Sequence, residues 1–112
     1  MSDLVQRAKE LACRAHAGQV DKAGRPYIEH VSRVASAVSD DPVAEAVAWL
    51  HDVLEDCDEK FHEAVFVVGS NVALPVMRLT RSKMVDDAQY YELIRFNPIA
   101  LRVKLADIAD NS

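Results

Sequence analysis

Apolar residues recur at helical spacing from the start of the chain. Leu4, Ala8, Leu11, Ala12 and Ala15 share one face and predict a first helix running to about Ala17, with Ser2 or Asp3 as its cap. The stretch "GQVDKAGRP" breaks that pattern, and from about Tyr27 a second stripe of Ile28, Val31, Val34, Ala35 and Val38 predicts another helix. "SDDP" ends it and starts a third, with Asp41 as cap and Pro42 in the first helical position, where a missing N–H costs nothing. This third helix is expected to run without a break through "LHDVLED", Leu50 to Asp56.

Beyond the motif, Glu59 to Val68 contains the β-branched run "AVFVV", yet a helix is expected there. Asp58 is a cap candidate, Gly69 a stop, and a lone strand would have no partner. Val72 to Leu79 predicts a further helix, with Pro75 in its first turn or kinking it. "TRSKMVD" is a loop, Asp86 or Asp87 starts a helix to about Phe96, and Asn97 with Pro98 starts a last one reaching Asn111. The predicted fold class is all-α, a helical bundle of about six or seven helices.

At 112 residues the chain is the size of one small domain, and residues 1–112 are read as a single unit. The N-terminus mixes charge with apolar residues and lacks the continuous apolar core of a signal peptide. No later run approaches a membrane span, so the expected location is cytoplasmic. Cys13 and Cys57 have no companion cysteines and read as reduced thiols that fill space. A net charge of −5 argues against broad nucleic-acid binding, although local cations and a bound metal leave room for an anionic substrate.

The chemistry concentrates in "LHDVLED". At about 100° per residue, with His51 at zero, Glu55 falls near 40°, Asp52 near 100° and Asp56 near 140°, so the four polar groups share a face. No basic residue lies between Asp52 and Glu59 to offset the carboxylates, whereas a divalent cation would. The segment alone leaves a metal site and a solvated acidic face equally open. Elsewhere, "PYIEHVSRVA" places His30 beside the apolar Ile28, Val31 and Val34 in an otherwise amphipathic helix. "VKLADIADN" stacks Asp107 and Asn111 four apart on another. Taken together, His30, His51, Asp52 and Asp107 are two imidazoles and two carboxylates from three helices, a donor set suited to Mn, Fe or Zn.

In this order "HAGQVDKAGRPYIEHVSRVA", "LHDVLED" and "VKLADIADN" resemble the HD-domain phosphohydrolases, and among them the hydrolase region of the RelA/SpoT homologues, especially small stand-alone members. The resemblance extends from Ala15 to Asn111. It implies an all-α metal-dependent hydrolase that removes the 3′-pyrophosphate from guanosine 3′,5′-bis(diphosphate), ppGpp, or its pentaphosphate relative, with Mn²⁺ as cofactor and Fe²⁺ or Zn²⁺ as alternatives. His30, His51, Asp52 and Asp107 would be the ligands. Glu55 would accept a proton from the attacking water and Asp56 would hold it in line. Lys22 would lie near the base or phosphates and Asn111 near the ribose, with Lys104, one turn before Asp107, the next candidate for a phosphate. Arg25, Arg81 and Lys83 are further cations, read as surface residues.

Tyr27 and Ile28 read as packing around the site, His16 as a hydrogen-bonding residue that positions the following loop, and His62 as surface or partly buried. Trp49 reads as core or as a wall of the pocket. Three residues depart from the family pattern: Asp21 stands where an arginine is usual, Cys57 where threonine is, and Asp110 where a larger residue precedes the asparagine. The competing readings are a phosphohydrolase for another nucleotide and a catalytically silent nucleotide-binding module. Self-association into a homo-oligomer stays open, because no interface is legible in the pattern.

Overall fold

The computed structural model describes residues 3–81 and 85–111. Ser2 and Lys83, named above as a cap and a cation, lie outside the described residues. Within them the helices are α1 (Asp3–Ala15), α2 (Ile28–Ala37), α3 (Pro42–Leu50), α4 (Val53–Asp56), α5 (His62–Val68), α6 (Ser70–Leu79), α7 (Asp87–Arg95) and α8 (Pro98–Asp110), with a 3-10 turn at Glu59–Phe61 before α5. The expected all-α bundle is what forms. Among the described residues the only extended pairing is one isolated antiparallel bridge between Val20 and Pro26, which closes the loop after α1.

The starts of the helices follow local chemistry. The Asp41 carboxylate accepts from Val43 and Ala44 N–H at 3.0 and 3.4 Å, with Pro42 opening α3. Asp86 and Gln89 form a reciprocal capping box on α7, and Asn97 caps α8 through Ala100 N–H at 3.0 Å. Asp58 caps the 3-10 turn through Lys60 N–H at 2.9 Å, so the β-branched run after it is helical as expected. Asp3 stands inside α1 rather than capping it.

Two boundaries differ from expectation. α6 begins at Ser70, because the Gly69 carbonyl accepts from both Val72 and Ala73 N–H; Pro75 therefore lies inside the helix, beyond its first turn. The residue that loses its helical partner to Pro75, Asn71, is exposed, which limits the cost. Gly69 itself adopts φ 134°, a conformation that side chains disfavour, and this hinge separates α5 from α6. The second difference is in the motif: α3 stops at Leu50, and His51 and Asp52 form a turn before the single helical turn of α4. His51 Nδ1 lies 2.6 Å from the Ala48 carbonyl, the acceptor that a continuous helix would offer to the Asp52 amide. The side chain has taken the place of a backbone bond.

α3 is the hub. It packs against α1, α2, α6 and α8, and Ala44, Ala46, Val47, Ala48, Trp49 and Leu50 are all buried. A helix apolar on every side belongs at the centre of a bundle. Trp49 is a core residue, with its indole N–H donating to Glu45 and Lys9 over its ring. Cys57 is half-buried against the core, while Cys13 is exposed and fills no space; both thiols are free. No helix of the described residues is long and apolar enough to cross a membrane.

Candidate metal centre

Because α3 is buried from Ala46 to Leu50, the residue that follows it is delivered to the interior: His51 is 4% exposed. Its Nδ1–H donates to the Ala48 carbonyl at 2.6 Å, which leaves Nε2 with its lone pair facing inward. Asp52 Oδ2 and Asp107 Oδ1 stand 3.0 and 3.4 Å from Nε2, yet neither is aligned with it as a hydrogen-bond partner. Asp107 comes from α8 and His30 from α2, and His30 Nε2 lies 2.8 Å from Asp107 Oδ1. Donor atoms of His30, His51, Asp52 and Asp107 all lie within 4.8 Å of one another.

A buried nitrogen without a hydrogen-bond partner, ringed by two carboxylates and a second imidazole, is the arrangement a divalent cation would complete. The four donors foreseen in the sequence are therefore together, and they fit such an ion. Without one, protons take its place. Burial, the largest influence on His51, favours the neutral ring, but Asp107 and Asp52 outweigh it and push His51 up to about 10. His30 is also raised, chiefly by Asp107. Burial tends to raise the Asp52 and Asp107 carboxyls, but the histidines outweigh it and hold both below the usual carboxylate range, Asp107 through His30 and His51 and Asp52 through His51.

The motif's other carboxylates lie alongside. Oxygens of Asp52, Glu55 and Asp56 come within 4.8 Å of one another. The face expected from helical periodicity survives the break after Leu50, because Asp56 N–H still bonds to the Asp52 carbonyl at 2.9 Å. Glu55 Oε1 accepts from the backbone N–H of Arg81 at 2.7 Å, which anchors it at the end of α6. Burial, then Asp52 and Glu55, raise the Asp56 carboxyl.

These groups line a cavity of about 220 Å³ that Lys104, Tyr90 and Asn111 also face. Lys104 Nζ is 3.7 Å from Asp107 Oδ2 and stands over the Tyr90 ring. A second cavity of about 730 Å³ shares Tyr27 and Asn111 with it and is lined by Lys22. Arg25 is engaged with Glu29 on the surface, and Arg81 pairs with Asp87; neither lines these two cavities.

Several residues do more than their sequence context suggests. The Tyr27 hydroxyl donates to Asp52 Oδ2 at 2.5 Å, so this residue fixes a carboxylate as well as packing. Asp110 reaches His30 Nδ1 at 2.6 Å and Arg33 at 2.7 Å. Asp21 turns its carboxylate onto Ala23 and Arg25 N–H, holding the loop that carries Lys22. His16 is 2% exposed and donates to Gln19, whose amide donates to the Asp56 carbonyl, so the loop is tied to the motif as its placement after α1 suggested. His62 is partly buried, with Nε2 unpartnered among the described residues. The available sequence signal for Asp110 was its position three residues after Asp107, on the same helical face.

Comparison with known proteins bears on this geometry. No protein-family model matches the chain. It is 32% identical, over 98% of its length and 17% of the relative's, to the guanosine-3′,5′-bis(diphosphate) 3′-pyrophosphohydrolase of Aquifex aeolicus. It is 31% identical, over 96% of its length and 14% of the relative's, to a GTP pyrophosphokinase of Streptomyces coelicolor. The chain thus spans about a sixth of the length of these curated relatives. A solved structure described as a metazoan orthologue of SpoT that hydrolyses ppGpp superposes with a TM-score of 0.78 at 28% identity, over 99% of this chain and 69% of that one. Shared architecture over the whole chain, with His30, His51, Asp52 and Asp107 converging as the three sequence motifs anticipated, identifies it as a member of the HD-domain family of RelA/SpoT homologues.

Proposed function

We propose that residues 1–112 act in the cytoplasm as a single HD-type domain, a metal-dependent phosphohydrolase that releases pyrophosphate from the 3′ position of ppGpp and leaves GDP. The observation that carries this reading is the unpartnered, buried Nε2 of His51 among three further donors, opening onto a cavity with Lys104. His30, His51, Asp52 and Asp107 would hold the ion, taken as Mn²⁺, with Fe²⁺ or Zn²⁺ suited to the same donors. When bound, such an ion activates water near neutral pH and offsets charge on phosphoryl oxygens.

The protein's own groups supply the rest. Glu55, with one oxygen tied to the Arg81 backbone N–H, would take a proton from the attacking water with the other, and Asp56 beside it would hold that water in line. Lys104 would meet phosphate oxygens beside Asp107, and Lys22 and Asn111 would meet the nucleotide in the larger cavity. A second reading, hydrolysis of a different nucleotide by the same centre, is favoured by Asp21: a carboxylate spent on holding its own loop stands where the family usually has a cation.

Incubation with ppGpp and Mn²⁺, followed by product analysis, tests the proposal. GDP and pyrophosphate are expected; inertness towards ppGpp with cleavage of another nucleotide would favour the second reading. Asp52→Ala is expected to lower turnover more than about a hundredfold, beyond the usual effect of losing an outer-shell partner, with helical circular dichroism unchanged. Turnover at the wild-type rate would reject the role given to Asp52.

A further inference from the structure

We infer that Asp110 is a positioning residue for the metal centre, a carboxylate that holds the His30 ring with its Nδ1 protonated so that Nε2 offers its lone pair to the ion. The inference rests on the metal-dependent reading above. It starts from a difference between the two histidines. His51 is oriented by a backbone carbonyl, which no substitution of a side chain can remove. His30 instead has carboxylates at both ring nitrogens, Asp107 Oδ1 at 2.8 Å from Nε2 and Asp110 Oδ2 at 2.6 Å from Nδ1.

Both acids come from α8. Asp107 and Asp110 are three residues apart, neighbours on one helical face, and the His30 ring lies between them. The two have different tasks. Asp107 belongs to the group of donor atoms within 4.8 Å of one another, whereas Asp110 does not. It meets the donor group through the far side of the imidazole, and it also lines the larger cavity. An imidazole cannot both donate and accept at one nitrogen, so a carboxylate fixed at Nδ1 selects the Nδ1–H form and directs the lone pair on Nε2 inward.

Arg33 occupies the other oxygen of that carboxylate. It lies three residues after His30 on α2, and its Nε donates to Asp110 Oδ1 at 2.7 Å, leaving Oδ2 for the ring. The burial is graded: His30 is 6% exposed, the Asp110 side chain 18% and the Arg33 side chain 55%. The pair at the ring is thus sheltered, while the arginine end of the clamp is open to solvent, where an ion pair contributes little.

The test measures metal affinity by chelator competition with Mn²⁺ and with Zn²⁺, for the wild-type chain and for Asp110→Ala, Asp110→Asn and Arg33→Ala. Asp110→Ala is expected to weaken binding about 10- to 100-fold. Asp110→Asn keeps an acceptor and loses the charge, so its loss should be smaller, and Arg33→Ala should stay within about fivefold of wild type. In the Zn²⁺-loaded protein the Nδ1 proton of His30 should give a strongly downfield resonance that Asp110→Ala abolishes. Equal affinity of Asp110→Ala and wild type would overturn the inference and leave the metal reading intact. An equal loss in Arg33→Ala would also overturn it, because Asp110 would then serve to hold α2 against α8. If Asp110→Ala does not fold, the same comparison is made with Asp110→Asn, whose wild-type affinity and unshifted Nδ1 proton would count against the role. A wild-type chain that takes up neither ion defeats the metal reading, and this inference with it.

Discussion

His51 concentrates the electrostatics of the molecule in one ring. Its pKa is raised from 6.5 to about 10 by Asp107 and Asp52 against the opposing effect of burial. A group whose pKa is raised on folding contributes stability that is complete below its unfolded value and is lost as pH climbs through the folded one. The metal-free protein should therefore become less stable between about pH 6.5 and 10. Asp52 and Asp107 act in the opposite sense: their lowered pKa values give stability that is present above 3.8 and lost as pH falls below it. Urea unfolding in the presence of a chelator at pH 5, 7 and 9 should show the decline on the alkaline side, and His51→Asn should flatten it. A stability that rises from pH 7 to 9 in the metal-free protein would contradict a buried imidazole flanked by Asp52 and Asp107. With a metal present the sign changes, because the ion must displace these protons, and its affinity should rise with pH.

At the scale of elements, each donor depends on where its helix starts or stops. α8 is set by the Asn97 cap and Pro98, and that register brings Asp107 to His51 and Asp110 to His30. Asn97→Ala removes the bond to Ala100 N–H and should cost about 1 kcal/mol in chemical denaturation. Its effect on metal affinity should be small, because the buried Ala100 and Val103 keep α8 on the core. A loss of metal binding as large as that of a ligand substitution would mean that the cap, rather than packing, holds the helix in place. The starts of α3, α7 and α8 were legible because a short polar side chain with a proline or a glutamine nearby acts within a few residues. The end of α3 was not. Leu50 to Asp56 satisfies helical periodicity throughout, and the break after Leu50 depends on a ring nitrogen reaching the Ala48 carbonyl, a bond that the pattern of apolar residues does not encode.

For the whole molecule, the proposed ion would connect α2, the turn after α3, and α8, three segments far apart in the chain. A ligand that binds only the folded state adds stability by mass action, about 2.7 kcal/mol at a free concentration a hundred times its dissociation constant. Mn²⁺ should accordingly raise the unfolding midpoint, and a chelator should reverse the effect. An unchanged midpoint at saturating Mn²⁺ would argue against binding at this junction. The sequence by itself determined the all-α class and most helix starts, because periodicity, capping and residue chemistry are local properties, and the motif order named His30, His51, Asp52 and Asp107, four side chains that the fold brings together. Tertiary structure alone decided that Tyr27 braces Asp52, that Asp110 backs His30, and that Asp21 serves its own loop while Lys22 faces the cavity. Those contacts join residues by the distance between packed helices and by the closure of a loop, quantities that are fixed only when α3 is buried and its neighbours settle around it.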